Sequence, residues 1–269
     1  MRSLVGSSLA LLLTAVISPA LAGSISIQIT PTPTWQDGTL KVGLKVSNVG
    51  DEAARAVSAV LDLQAAETRG APHDVLGPKD SFEETLSLPA GGIGPGQWPY
   101  RVAVDYTDAN HYPFQALHVS TATMGTPPPA KVALQELRAP SFSGSTTLRG
   151  RVKNLAAVAR KVAVSVYAPE GLEATGATSP IELAPWEEKQ FSATLINRTV
   201  LAGSRYPVFV AAEYDDGGTH QALVGFSIVE IVAAGSAFSS NQTTLWVGAA
   251  ALVGLWLVFL LVRVLRKNA

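Results

Sequence analysis

The strongest constraint on this chain is an internal repeat with an offset of about 106 residues. Short sequences recur in the same order along the chain, and their offsets drift by two residues at most. They are residues 45–48 with 151–154, 76–78 with 183–185, 99 with 207, 105–108 with 213–216, and 115–117 with 221–223. One such match arises easily by chance, but five in the same order do not. The sequence therefore predicts two copies of one domain.

Each copy alternates apolar and polar residues with the period of a β-strand. The alternating apolar positions include Ile25, Ile27, Ile29, Leu40, Val42, Leu44 and Val46 in the first copy, and Val162, Val164, Val166, Val208 and Val210 in the second. Such alternation is typical of strands that bury one face, and turn residues separate the runs. About seven strands in about 105 residues predict an all-β fold of two tandem immunoglobulin-like β-sandwiches.

The predicted sandwiches occupy residues 23–125 and 131–232. The linker between them, residues 126–130, contains three consecutive prolines. Consecutive prolines favour stiff polyproline II, so we expect the linker to hold the two sandwiches apart as semi-rigid units. The small and polar residues 233–244 predict a short stalk.

The N-terminal residues 1–22 resemble a secretory signal peptide. Arg2 is followed by the apolar run 9–17, and Ala20-Leu21-Ala22 matches the small-x-small cleavage pattern. An uncleaved anchor is the alternative, but the apolar run is short and the cleavage pattern is good. We expect the mature chain to begin near Gly23.

The C-terminal residues 245–262 predict one transmembrane α-helix. These 18 residues carry no charge, and a helix of that length spans ~27 Å, close to the thickness of the hydrocarbon core. Three basic residues lie in the tail, residues 263–269, which the positive-inside rule places in the cytoplasm. A buried core helix is the alternative. We expect a single-pass protein of a bacterial inner membrane, with its N-terminus in the periplasm or at the cell surface.

Composition excludes several classes of site. The chain has no Cys, which excludes disulfides, thiolate metal sites and a Cys nucleophile, and suits a bacterial or archaeal envelope. With Arg2, Arg263, Arg266 and Lys267 outside it, the segment 23–244 holds 16 basic and 21 acidic residues, a formal charge of −5. The formal net charge of the whole chain, −1, argues against a nucleic-acid binder, and the acidity of residues 23–244 disfavours anionic polymers or lipid surfaces as partners.

The candidate metal-ligating residues are few. The histidines (His73, His111, His118 and His220) lack the spacing of a zinc site and are expected to be solvated loop residues. Two acidic turns could begin a calcium site, which needs six to eight oxygens. These candidates are Asp105 and Asp108, with Asn110 beside them, and Glu213, Asp215 and Asp216. Turns also use such residues for local hydrogen bonds. The expectation is no metal, no cofactor and no catalytic residue, since no nucleophile motif is present.

Trp186 is the candidate contact residue. It follows Leu183-Ala184-Pro185, where the first copy has Lys79, so it is expected to be exposed in a turn. An exposed Trp can stack on a sugar or pack against a partner protein. The alternative is a packed residue at the edge of the core.

The order of motifs resembles a known family. A Val-rich strand ends in Asn-x-Gly (LKVSNVGDEAARAV), a Leu-x-Pro precedes an acidic strand (VLGPKDSF), and a Tyr-ended strand leads into an Asp-rich turn (YRVAVDYTD). This pattern resembles the CARDB family of bacterial cell-adhesion-related Ig-like domains, and the Ig-like modules associated with some bacterial alpha-galactosidases. The second copy departs from the pattern, because Leu155-Ala156 follows Asn154. The resemblance implies a fold and a surface role rather than a chemistry.

These features favour a non-enzymatic function. We expect a membrane-anchored extracytoplasmic module for interaction, assembly or adhesion, which displays two Ig-like domains to a protein partner in the membrane or cell envelope. A glycan-binding module, with Trp186 leading an aromatic platform, is one alternative. An accessory subunit of an envelope enzyme complex is another.

Overall fold

The computed structural model describes residues 23–126, 129–176 and 180–234. These residues form sixteen β-strands and no helix, so the predicted all-β class is confirmed for them. They include no helix long and apolar enough to cross a membrane. The predicted signal peptide, transmembrane helix and cytoplasmic tail lie outside the described residues, as does most of the predicted stalk.

Strands β1–β8 form two sheets that pack face to face. One sheet has the order β1-β2-β6, and the other has β7 between β3 and β8, with the short strands β4 and β5 both paired to β3. The bounds are β1 Ile27–Gln36, β2 Thr39–Asn48, β3 Ala54–Leu63, β4 Ala66–Arg69, β5 His73–Leu76, β6 Ser81–Pro89, β7 Gly96–Thr107 and β8 Pro113–Met124.

Strands β9–β16 repeat this arrangement with one change. The sheets have the orders β9-β10-β14-β12 and β13-β11-β15-β16, so the short strand β12 pairs with β14, whereas its counterpart β4 pairs with β3. The bounds are β9 Val132–Arg138, β10 Ser145–Asn154, β11 Arg160–Tyr167, β12 Leu172–Thr175, β13 Ile181–Leu183, β14 Glu188–Asn197, β15 Arg205–Asp216 and β16 Thr219–Glu230.

Each pair of sheets encloses its own apolar core. In β2 the alternating residues Leu40, Val42, Leu44 and Val46 are buried, which explains their period of two. In β10 the matching positions include Leu148 and Val152, but Gly150 lies between them. A Cβ at Gly150 would overlap the ends of the Phe191 and Leu137 side chains, so any larger residue there would have to displace them.

A fully buried asparagine ends the second strand of each copy. The Asn48 side-chain amide donates to the carbonyls of Glu52 (2.7 Å) and Leu76 (3.2 Å), and its side-chain oxygen accepts from the N–H of Gly50 at 3.0 Å. Asn154 repeats these bonds with Val158 (2.7 Å), Ala184 (2.9 Å) and Ala156 (3.0 Å).

The two asparagines show why the repeat preserves this residue. Each satisfies three backbone groups in loops that would otherwise bury them unpaired. The second copy has Ala156 where the first has Gly50, and its turn is intact. The asparagine side-chain oxygen accepts from the backbone N–H of this residue, which any residue except proline supplies.

Replacing Asn48 with alanine is expected to lower the free energy of unfolding by roughly 2–4 kcal/mol. Three backbone groups would lose their partner inside the structure. Urea unfolding of the full chain in detergent, followed by circular dichroism, measures the change. Asn110→Ala is the matched control, because that side chain is exposed and bonds only its own turn. Equal losses in the two variants would contradict this role for Asn48.

The two sandwiches pack against each other through the outer faces of their sheets. Val60, Ala103, Leu117 and Val119 of the first copy form a third apolar cluster with Phe209 of the second, and all five are buried. Tyr167 and Val224 pack at the margin of this cluster. The expectation that the proline linker holds the sandwiches apart is therefore wrong. Burying the apolar outer faces against each other is more favourable in free energy than leaving them in water, and this brings the two sandwiches into contact.

The packing places the two copies side by side and antiparallel. β16 meets β7 in a single parallel pair, His220 with Gly96, whereas equivalent strands of the two copies run in opposite directions. Gly96 has φ +145°, and a Cβ there would overlap the carbonyl oxygen of His220. Hydrogen bonds from Tyr112 Oη to the Thr199 carbonyl (2.8 Å) and from Glu170 N–H to Gln115 Oε1 (3.0 Å) join the copies further along.

This arrangement gives the molecule two distinct ends. The linker end holds His220, the turn after Asn154 and the turn that contains Trp186. The terminal end holds both ends of the described chain. Gly23 borders the same cleft as Gly203 and Ser204, and Ile231 exchanges backbone hydrogen bonds with those two residues at 2.7 and 2.9 Å. Strand β16, 12 residues long, runs between the two ends and spans roughly 36 Å.

Candidate functional site

His220 contacts both sandwiches at the linker end. We call its contacts with Trp98, Glu213 and Asp215 the clasp. Its ring stacks on Trp98 of the first copy, with centroids 3.8 Å apart and planes 12° from parallel. Its Nδ1 lies 3.0 Å from an oxygen of Asp215, and its Nε2 lies 3.2 Å from an oxygen of Glu213. The expectation of a solvated loop histidine is therefore wrong for His220. Its ring joins an aromatic face of one copy to two carboxylates of the other.

The pKa of His220 is raised above 6.5 in the folded protein. Burial is the largest single influence and lowers the pKa, but the hydrogen bonds and charges of Glu213 and Asp215 together raise it by more. The imidazolium form suits this position, because both ring nitrogens then donate to a carboxylate, and a cation over the Trp98 face gains further attraction.

The raised pKa predicts that the clasp weakens as the pH rises. A group with a raised folded-state pKa contributes its full stabilisation below its unfolded value of about 6.5 and loses it as the pH passes through the folded value. We expect His220→Gln to be more destabilising at pH 5.5 than at pH 8.5, as measured by the midpoint of thermal unfolding. His111→Gln, in an exposed turn, is the control. A His220→Gln difference that is independent of pH would contradict the clasp.

Two of the other three histidines also differ from the sequence expectation. His73 is half-buried and stacks on Phe82 with centroids 3.7 Å apart. His118 is half-buried, and burial lowers its pKa. Only His111 is exposed as expected, in the turn before β8. The sequence carried no signal for these placements, because each depends on an aromatic residue brought near by the fold.

The carboxylates considered for calcium are occupied by neighbouring donors. In the first copy, Asp108 accepts from its own turn, at the N–H groups of Asn110 and Tyr112, both at 2.8 Å. Asp105 pairs with Arg69 at 3.2 Å and accepts from Gln115 at 2.7 Å. Local hydrogen bonds account for the composition of this turn.

In the second copy the carboxylates separate into two groups. Glu213 and Asp215 face His220, whereas Asp216 pairs with Lys131 (3.0 Å) and Arg160 (2.9 Å). These two cations hold the pKa of Asp216 below its usual value. Across the residues that the structure describes, no group of three or more His, Asp or Glu side chains is arranged to hold a metal ion.

Trp186 lies at the linker end in an exposed cluster. Trp186 is 62% exposed, Val158 58% and Leu155 41%. Hydrogen bonds hold the two turns together, since Trp186 N–H donates to the Ala156 carbonyl at 3.3 Å and the Asn154 side-chain amide donates to the carbonyls of Val158 and Ala184. We call these three exposed residues, Leu155, Val158 and Trp186, the distal cluster.

The backbone explains the turn but not the choice of tryptophan. Trp186 has φ +63°, and Lys79 at the equivalent position has φ +65°. Both copies therefore need a residue in the left-handed backbone conformation at this position. That conformation costs about 1–2 kcal/mol for a residue other than glycine. Lysine satisfies this need in the first copy, so the fold does not require an exposed indole at Trp186.

A cleft of about 570 Å³ opens between the sandwiches at the terminal end. Tyr106, Phe114 and Tyr206 line it, together with the first residues of the described chain and polar side chains that include Glu52 and Arg205. Tyr106 and Phe114 stack at 5.6 Å, and burial raises the pKa of both Tyr106 and Tyr206. Sequence reasoning did not anticipate this cleft, because it exists only where the two copies meet.

Comparisons with known proteins add little to the geometry. No protein-family model and no curated protein matches the sequence. Escherichia coli alpha-2-macroglobulin is 14% identical with a TM-score of 0.30, and the match covers 77% of this chain and 17% of that one. This chain therefore spans only a small part of that protein.

Two other solved structures are similar at the same low level. Red sea bream transglutaminase is 14% identical, with a TM-score of 0.27, over 77% of this chain and 31% of that one. A protein of unknown function from Porphyromonas gingivalis W83 is 12% identical, with a TM-score of 0.33, over 77% and 99%. Similarity this weak supports no statement on activity, substrate or partner.

Proposed function

We propose that this protein is a membrane-anchored, extracytoplasmic binding module without catalytic activity. Two immunoglobulin-like sandwiches of the CARDB kind form one unit, and that unit presents the distal cluster to a protein partner in the envelope. The proposal includes the cleaved signal peptide and the transmembrane helix at residues 245–262, which the sequence patterns support.

The positions of the two ends support this proposal most strongly. The described chain begins and stops at the terminal end, so an anchor beyond residue 234 would hold that end nearest the bilayer. The distal cluster lies at the opposite end, roughly 36 Å away along β16. An exposed tryptophan is typical of the centre of a protein interface, and the two exposed aliphatic residues nearby enlarge the apolar surface around it.

A site-specific crosslink tests the proposed partner surface. A photo-reactive amino acid is placed at Val158 in the full chain, in its native membranes, and crosslinked products are identified by mass spectrometry. We expect one discrete protein adduct, which Trp186→Ala abolishes because the adjoining indole anchors the contact.

The same probe at Leu201 is the matched control. Leu201 is 50% exposed and apolar, but lies at the terminal end. Equal adducts from both positions, or an adduct from Val158 that persists in Trp186→Ala, would contradict the proposed partner surface.

Glycan binding is the second candidate function, and the interdomain cleft is the observation that favours it. Aromatic rings beside a carboxylate and a guanidinium can stack on a sugar and bond its hydroxyls. Clefts between domains are also frequent ligand sites.

A glycan array with the full-length protein distinguishes the two surfaces. If the cleft binds a sugar, Tyr206→Ala should abolish the signal while Trp186→Ala leaves it unchanged. The opposite pattern would assign the glycan to the distal cluster, and an array without signal would argue against glycan binding.

A further inference from the structure

Two arginines lie directly opposite each other on the outer face of the second copy. Arg138 of β9 and Arg149 of β10 are register partners in an antiparallel pair, and both are exposed. Side chains at such positions have Cβ atoms about 4.5–5.5 Å apart, so like charges there repel and destabilise the sheet. The sheet retains this pair at an energetic cost.

No carboxylate within the described ranges pairs with either arginine. The next arginine along β10 differs, because Arg151 pairs with Glu136 at 3.2 Å and with Glu188 at 3.1 Å. The adjacent strands therefore carry carboxylates, but these neutralise Arg151 and leave Arg138 and Arg149 without an ion pair. The contrast is sharper because residues 23–244 carry a formal charge of −5.

The local backbone forms a cleft beside the two arginines. The register of β9 against β10 shifts between Arg149 and Arg151, and Glu136 in the irregular part of β9 has φ +52°. A bulge of this kind redirects the side chains around it. The resulting cleft has a volume of about 470 Å³. Its lining includes Thr146, Thr147 and Gln190 beside the two arginines, together with Arg151 and the Glu136 carboxylate that pairs with it.

We propose that this cleft binds a saccharide that carries one acidic group, with the carboxylate or sulfate held between Arg138 and Arg149. Guanidinium groups bind such oxyanions through paired, charge-assisted hydrogen bonds, and a bound anion relieves the repulsion between the two arginines. The threonine hydroxyls and the Gln190 amide supply donors and acceptors for sugar hydroxyls.

The surroundings favour a small, weakly charged sugar over other anions. A polyanion would meet the net negative charge of the chain, so a single acidic group is preferred. An acidic peptide would also need apolar contacts, and none of the large exposed apolar side chains of the described residues lines this cleft. A volume of about 470 Å³ falls within the usual range for small-ligand sites.

The experiment is a binding titration of the full-length protein in detergent with D-glucuronate and D-glucose. These sugars differ only at C6, which is a carboxylate in glucuronate and a hydroxymethyl group in glucose, so we expect glucuronate to bind at least about tenfold more tightly. We expect inorganic sulfate to compete with it. Arg149→Gln and Arg138→Gln should each weaken glucuronate binding by about tenfold or more. Arg55→Gln is the control, because Arg55 is exposed and unpaired in the described chain but lies on the first copy.

Several outcomes would overturn the proposal. They are equal affinity for the two sugars, glucuronate affinity unchanged in Arg149→Gln, failure of sulfate to compete, and equally tight binding of an acetylated, amidated glutamate in place of the sugar. Loss of folding does not confound the test, because removing one of two opposed like charges should leave the unfolding midpoint of unliganded Arg149→Gln equal to or above that of the wild type.

Discussion

The apolar contact between the outer faces of the two sandwiches determines the shape of the whole molecule. Phe209 is buried there against four aliphatic residues of the first copy. Without this cluster, a proline-rich linker would leave two independent units. With it, the copies lie antiparallel, both described ends of the chain meet, and the clasp at His220 and the aromatic cleft are created at opposite ends of one interface.

Because of this contact, some outer sheet faces are buried between the sandwiches and others stay exposed to solvent. In the first copy, the face around Ala103 and Leu117 is consumed by the interface. In the second copy, the sheet that contains β9 and β10 points away from the partner sandwich and remains polar, with Arg138 and Arg149 upon it. The interface therefore takes the outer face of the equivalent sheet from each copy, and the two arginines lie on the other sheet of the second copy.

Much of the fold follows from short-range patterns. The alternation of apolar residues in β2 predicted strands, and the 106-residue offset between Asn48 and Asn154 predicted the repeat and its turns. These patterns could be recognised because each depends on neighbours within one strand or loop. The positions of β4 and β12 could not be predicted. These short strands pair with different sheets in the two copies, and a four-residue strand carries too little alternation to select its partner.

The candidate sites were predicted less well for a physical reason. Trp186 was correctly expected in an exposed turn, because its backbone follows a local motif shared with Lys79. The surroundings of His220 depend on Trp98, which is more than a hundred residues away in sequence and on the other copy. Two expectations were wrong for the same reason. One was that His220 is a solvated loop residue, and the other was that the linker holds the sandwiches apart. Neither took contact between the two copies into account.

The antiparallel packing also has a mechanical consequence. In an extended tandem, a pull on the far domain passes through both domains and the linker in series, and reach grows with each copy. Here a load applied at Trp186 would reach the C-terminal side through the second sandwich alone, while the first sandwich braces it from the side. Two copies packed side by side therefore make the molecule broader and not longer.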